Sequence, residues 1–454
     1  MMHATLTPHI LPGLDVHSEA RVAQARWSQT SIRERLRIVR ALRHLIAENA
    51  DALAAAAASV SDRPVAEKLV SEILPLADAC RWLEKSARRV LAPRRCGSRG
   101  RPFWMRGVTF EVQRQPFGLV LVIGPGNYPL FLPAVHALHA LVAGNAVLLK
   151  PAPGTRHVAL AFAQIARDAG LEPALLTILP ESVEAARSAI ADGVDKVVFT
   201  GSSENGRAVL ATLAETNTPS VMELSGEDAV LVLADADLDL VVRALRFGTR
   251  LNGGETCIAP RRVIALATIA DELSARLRHP LEHRLPACAD SGHPARCREQ
   301  AGSPFAAQAG SLCSVRDDAA AVQLANDADF ALGASIFSRD IVKARTLAAQ
   351  IKTGFVLIND LIVPTADPRM PFGGVKASGF GTTRGDEGLI EMTFPHVVAV
   401  RSGRAHPHFD EPTAGDARLF SAYLRAAHGS RRFAAIRELL AALIAKIKTR
   451  KTRP

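Results

Sequence analysis

FGLVLVIGPGNYPLFLPAVHALHALVAGNAVLLK, residues 117–150, reads as strand, loop, helix, strand. Residues 118–123 form a short unbroken apolar run, the mark of a strand covered on both faces. The loop 124–129 and an apolar helix near 130–143 follow, and a second strand spans 145–150. The alternation continues through a helix near 156–169 and strands at 175–179 and 196–200. Short apolar strands separated by helices predict a parallel sheet with helices on both faces. Strands near 229–233 and 354–358 predict a second α/β unit after Glu223. The expected fold class is α/β, a parallel-sheet dinucleotide-binding domain plus a second α/β domain. Upstream, helices are predicted over 31–59 and 64–91, and 103–115 alternates loosely, as a projecting hairpin would. The expected divisions are 1–222, 223–400 and a C-terminal extension, 401–454.

Composition narrows the class of molecule. At 454 residues the chain is long enough for more than one core. Hydrophobic residues make up 48% and charged residues 22%, ordinary for a globular protein. The opening residues show no secretory signal, and no apolar run of about 18 residues could span a bilayer. Six cysteines in so long a chain do not suggest a disulfide framework. A cytoplasmic protein is expected. The net charge is +10, and the 12 Lys/Arg against 4 Asp/Glu beyond residue 400 place +8 of it in the tail. There 431–448 reads as a helix with Phe433, Ile436, Leu440, Leu443 and Ile447 on one face. Docking on its own domain or a partner subunit is the main reading. A membrane surface is the lesser one, and nucleic acid has no support.

Three segments carry chemistry. Glu223 lies in VMELSG (221–226), Cys257 in NGGETCIAP (252–260) and Asn127 in GPGNYP (124–129). A base, a nucleophile and an amide donor are what covalent attack on a carbonyl requires. A free thiol is only a few per cent ionised at neutral pH and needs activation. The oxyanion needs a fixed donor, worth roughly 100- to 1,000-fold in rate. Releasing the acyl group needs a base for water. For a cofactor, GlyxGlyxxGly is absent. Gly201 and Gly206 flank a predicted helix start, where backbone amides and the Ser202 hydroxyl could hold a pyrophosphate; alone, this reads equally as an ordinary βα turn. Lys150 ends a strand, where a cleft ligand is expected.

Together with LKP (149–151), FTGS (199–202) and PFGGVKASG (371–379), these segments resemble the aldehyde dehydrogenase superfamily, from about Arg21 to Val400. The resemblance implies Cys257 as nucleophile, Asn127 and the Cys257 amide as oxyanion donors, and Glu223 as the base for hydrolysis. It also implies Lys150 on the adenosine ribose, the Gly201–Ser202–Gly206 turn on the pyrophosphate, and NAD or NADP as cofactor. An aldehyde would become a carboxylic acid in a homodimer or homotetramer, with 103–115 as an oligomerisation hairpin. An acyl-CoA-forming enzyme is the alternative, disfavoured by Glu223. A catalytically impaired relative that binds ligand or membrane is the other.

Four departures from the family pattern stand out. Gly126 replaces an aromatic beside Asn127. Pro153 replaces a ribose-binding glutamate, which would leave NADP as acceptable as NAD. Ser303 or Pro304 stands where a glutamate for the nicotinamide ribose is expected, so weaker cofactor binding is anticipated. The surrounding 263–315 is expected to be a shortened, irregular segment. Its Cys288, His293 and Cys297 lack a paired CysxxCys, and no metal is expected.

Overall fold

The computed structural model describes residues 16–61, 63–277, 311–403, 406–409, 411–430 and 432–451. The periodic stretch 31–59 forms two helices, Ile32–Glu48 and Ala50–Ala58, divided at Asn49. Ser31 caps the first by accepting from the Glu34 amide, and Ile38, Val39, Leu42 and Ile46 form its buried stripe. The predicted helix 64–91 is Val65–Lys68, a π turn at Leu69–Ile73, and Leu74–Val90. The π turn inserts an extra residue and brings Glu72 into the interior.

The first sheet has the order Gly379–Phe380, Ser220–Glu223, Lys196–Thr200, Leu119–Ile123, Ala146–Lys150, Leu176–Ile178. It is parallel except for the short first strand. Leu119–Ile123 is buried throughout, as its unbroken apolar run requires. The chain leaves this strand to one side through 146–150, then returns to the other side at 196–200. The reversal makes a topological switch point, where the two carboxyl ends part and leave a crevice. The loop before helix Phe131–Ala143 and the turn before helix Ser203–Ala214 emerge there.

The second sheet is wholly parallel, in the order Ser311–Val315, Arg262–Leu266, Ala229–Val232, Gly333–Phe337, Phe355–Ile358. Separate apolar clusters involve Val230 and Val232, and Ala229 and Leu231, as alternation along a strand dictates. The expectation of an irregular 263–315 is corrected at both ends. Arg262–Leu266 and helix Ala267–Leu277 are regular, and Ser311–Val315 pairs with 262–266 despite its lack of isoleucine. Pairing to a neighbouring strand supplies what local composition does not. Ser303, Pro304, Cys288, His293 and Cys297 lie outside the described residues. Cys80, Cys96 and Cys257 are free thiols, and Cys313 is disulfide-bonded.

Within 103–115 a short 3-10 turn, Phe103–Met105, precedes strand Val108–Pro116. That strand lies between Arg94–Cys96 and Thr393–Arg401 in a three-stranded sheet. The chain clusters into two compact units. One comprises residues to Arg94 and Glu111–Val398; the other comprises Arg95–Phe110 and the chain from Ala399. Both parallel sheets belong to the first. In the second, helices Ala414–His428 and Arg432–Lys451 pack on one another. The apolar stripe of the last helix is not covered, with Phe433 90% and Leu440 55% exposed. Among the described residues no helix is long and apolar enough to cross a membrane.

Candidate active site

Glu223 is the last residue of its strand, paired with Thr200 on one side and Gly379 on the other. A Cβ on Gly379, whose φ is +100°, would stand 2.0 Å from the Met222 carbonyl, so only glycine lets this strand close on Glu223. The 371–379 motif thus packs beside Glu223. The carboxylate is buried. Thr200 Oγ1 donates to Oε2 at 2.9 Å and Thr383 Oγ1 to Oε1 at 3.3 Å, and His136 Nε2 lies 3.6 Å from Oε2. Burial pushes the Glu223 carboxyl above its ordinary range, against the pull of Arg384 and the two threonine hydroxyls.

Cys257 follows a turn in which Asn252 and Gly253 take left-handed conformations, φ 50° and 64°. A Cβ on Gly226 would meet the Cys257 carbonyl at 2.5 Å; the glycine of the Glu223 segment therefore admits the cysteine backbone. Asn127 Nδ2 donates to the Glu255 carbonyl at 2.7 Å, and Asn252 Nδ2 donates to the Asn127 carbonyl at 2.8 Å. These bonds stitch the Asn127 and Cys257 loops together. Burial, with the Glu223 and Asp228 carboxylates adding to it, pushes the Cys257 thiol up to about 12, while Arg384 acts the other way. At neutral pH Cys257 is therefore a protonated thiol at rest.

Several residues around the site escaped the sequence reading. Arg384 is buried, interacts electrostatically with Glu223 and Cys257, and sits over the Phe372 ring at 4.3 Å. Tyr128 and Thr256 share a hydroxyl hydrogen bond of 2.7 Å next to Cys257. Lys68 and Glu72 form a wholly buried ion pair at 3.1 Å. Lys68 Nζ also donates to Asn252 Oδ1 at 3.3 Å, and Glu72 Oε2 accepts the amides of Leu130 and Phe131 at 2.8 and 3.2 Å. A signal existed for some of them. His136 and His139 are the polar members of an otherwise apolar helix, and Lys68–Glu72 is an i,i+4 pair.

The predicted cofactor residues gather at the switch-point crevice. Lys150 ends its strand opposite Ile123 and is buried; burial lowers its pKa and Glu181 opposes this. Ser202 caps helix Ser203–Ala214 by accepting from the Asn205 amide, and its own hydroxyl can still donate. The Gly201 amide donates to the Glu223 carbonyl at 3.1 Å, tying this turn to the strand that carries Glu223. Gly206 lies against Leu224. A buried cation, a hydroxyl and a helix N-terminus at one crevice fit an anionic dinucleotide.

The sequence pattern of the Aldehyde dehydrogenase family matches residues 15–285 and 310–398. The 4,4'-diapolycopene aldehyde oxidase of a Methylomonas species is 31% identical over 423 residues, covering 83% of this chain and 79% of that protein. A putative NADP succinate-semialdehyde dehydrogenase of Mycolicibacterium smegmatis is 28% identical over 437 residues, covering 84% and 83%. Among solved structures, an NAD-dependent aldehyde dehydrogenase of Sinorhizobium meliloti superposes with a TM-score of 0.77 at 26% identity, over 87% of this chain and 88% of that one.

Proposed function

The chain belongs to the aldehyde dehydrogenase family, and from that premise we propose how its residues carry out the reaction. The protein is an NAD(P)-dependent aldehyde dehydrogenase that forms a carboxylic acid. Cys257 gives up its thiol proton to solvent as its sulfur bonds to the aldehyde carbon, and the carbonyl electron pair moves onto oxygen to give a thiohemiacetal oxyanion. Asn127 and the Cys257 amide hold the oxyanion; the second N–H of the Asn127 amide remains for this beside the bond to Glu255. Lys150 and the Gly201–Ser202–Gly206 turn would hold NAD or NADP, which would take the hydride from the thiohemiacetal carbon and so leave a thioester on the Cys257 sulfur. Glu223 then takes a proton from water as the water oxygen bonds to the thioester carbon. The C–S bond breaks with its electron pair on sulfur, and the acid leaves.

The observation that supports hydrolysis over transfer to coenzyme A is the buried Glu223, whose raised pKa and interaction with Cys257 suit it to activate water. We further propose a homodimer or homotetramer. Its support is the row of exposed apolar side chains Phe394, Val397, Val398 and Val400 on strand Thr393–Arg401. The test of activity is NAD and NADP reduction with a panel of aldehydes, with and without coenzyme A. Turnover without coenzyme A, lost in Cys257→Ala, is expected. Strict dependence on coenzyme A, or full activity of Cys257→Ala, contradicts the reading.

A further inference from the structure

His136 has no role in the chemistry above, and its position calls for one. It projects from helix Phe131–Ala143, is 2% exposed, and neither ring nitrogen has a hydrogen-bond partner. Leaving buried polar atoms unpaired is costly, and native proteins do so rarely. A leucine would fill the same space in this apolar helix without that cost. Beside it is the carboxylate of Glu223, whose Oε2 lies 3.6 Å from Nε2. That is about 0.6 to 0.7 Å longer than the usual N···O hydrogen bond, a gap that a small side-chain rotation closes.

We propose that His136 is a positioning residue for Glu223, accepting a hydrogen bond from its carboxylic acid once Glu223 has taken the proton of the attacking water. The inference rests on Glu223 being the hydrolytic base. The groups facing Glu223 explain why an additional acceptor serves. From strand Lys196–Thr200, Thr200 donates to Oε2; after strand Gly379–Phe380, Thr383 donates to Oε1. Arg384, from the same segment, can only donate. These three suit an ionised carboxylate. The acid form carries a proton of its own and needs a lone pair within reach, which a neutral imidazole supplies at Nε2 with the ring proton on Nδ1.

His136 also stays neutral. Burial, joined by His139 on its own helix and Arg384 across from it, pushes its pKa down to about 3. It therefore does not remove the proton from Glu223; it stabilises the acid. That raises the basicity of Glu223, and a stronger base abstracts water's proton faster.

Four proteins test this: wild type, His136→Leu, His136→Gln and Glu223→Gln, each assayed for the first-turnover burst of reduced cofactor and for kcat against pH. His136→Leu should retain the burst and lose about tenfold in steady-state kcat, since one net hydrogen bond is worth about a factor of ten. The rising limb of kcat should move to lower pH, because the acid form of Glu223 loses a stabilising partner while the base form does not. KM for the aldehyde should hold. His136→Gln, whose side-chain oxygen can replace Nε2 as acceptor, should restore both the plateau and the limb. If His136→Leu does not fold, His136→Met is read in the same way. Wild-type kcat and an unmoved limb in the apolar variant, with Glu223→Gln stalled after its burst, would overturn the role of His136 alone. Full turnover of Glu223→Gln would overturn the base and this inference with it. Burst and steady state falling together would make His136 merely structural.

Discussion

At the residue scale the reaction turns on where a proton sits in a desolvated pocket. Cys257 is a poor thiolate at rest because burial and two carboxylates oppose its charge. Iodoacetamide should therefore label Cys257 slowly at neutral pH, with a rate that climbs through pH 9 without levelling. Glu223→Gln should speed the labelling, since removing a negative neighbour lowers the thiol pKa. Site-resolved mass spectrometry separates Cys257 from Cys80 and Cys96. Fast labelling at pH 7 in the wild type would show an activated thiolate instead. The cofactor turn makes a second case. Pro153 stands where the resemblance places a ribose-binding carboxylate, and Glu181 lies against the following turn, accepting the amides of Gly154 and Arg156 at 2.7 and 2.9 Å. If Lys150 and this turn hold the ribose, Glu181→Gln should raise the NADP-to-NAD ratio of kcat/KM by roughly fivefold, the relief of about 1 kcal/mol of like-charge repulsion. Steady-state kinetics with both cofactors decides it; an unchanged ratio would place the ribose elsewhere.

Among the elements, the π turn at Leu69–Ile73 does most to order the site. It brings Glu72 onto the amides that open helix Phe131–Ala143, directly after the Asn127 loop, and leaves Lys68 to reach Asn252 before the Cys257 loop. Lys68 and Glu72 are 1% and 0% exposed in their side chains, so neither can turn to water if its partner is removed. Lys68→Met should destabilise the fold by about 3–5 kcal/mol, because it strands a buried carboxylate. The double variant Lys68→Met with Glu72→Leu should recover part of that loss, though it forfeits the two amide bonds to Glu72. Denaturant midpoints of the single and double variants measure this, and a double variant less stable than the single would refute the argument.

For the whole molecule the open question of partners lies at the C-terminal end. The tail carries +8, yet the apolar stripe of its last helix is exposed rather than docked within its own helical pair. The docked reading then needs a surface outside that pair, on the chain's own domain or on a partner subunit. Deleting residues 430–454 should lower the oligomeric mass seen by light scattering, or lower Tm, without vesicle binding by either form. Salt-sensitive binding of the full chain to anionic vesicles, lost on truncation, would establish the membrane reading instead. The attraction would then fall with salt over a Debye length of roughly 8 Å at physiological ionic strength.

The two parallel sheets are legible in the linear chain, because an unbroken apolar strand between helices has few ways to be buried. So is the candidate trio of Asn127, Glu223 and Cys257, since each sits in a local glycine setting that a linear motif records. Local composition misled over 263–315, where strand pairing formed Ser311–Val315 from residues with weak β preference. Folding alone settles the company each group keeps. The Lys68–Asn252–Asn127 stitching, the interaction of Arg384 with acid and thiol, and His136 beside Glu223 join residues about 90 to 180 positions apart in sequence. Proton affinity depends on desolvation and on charges a few ångströms away, so it does not exist until those segments are folded against each other.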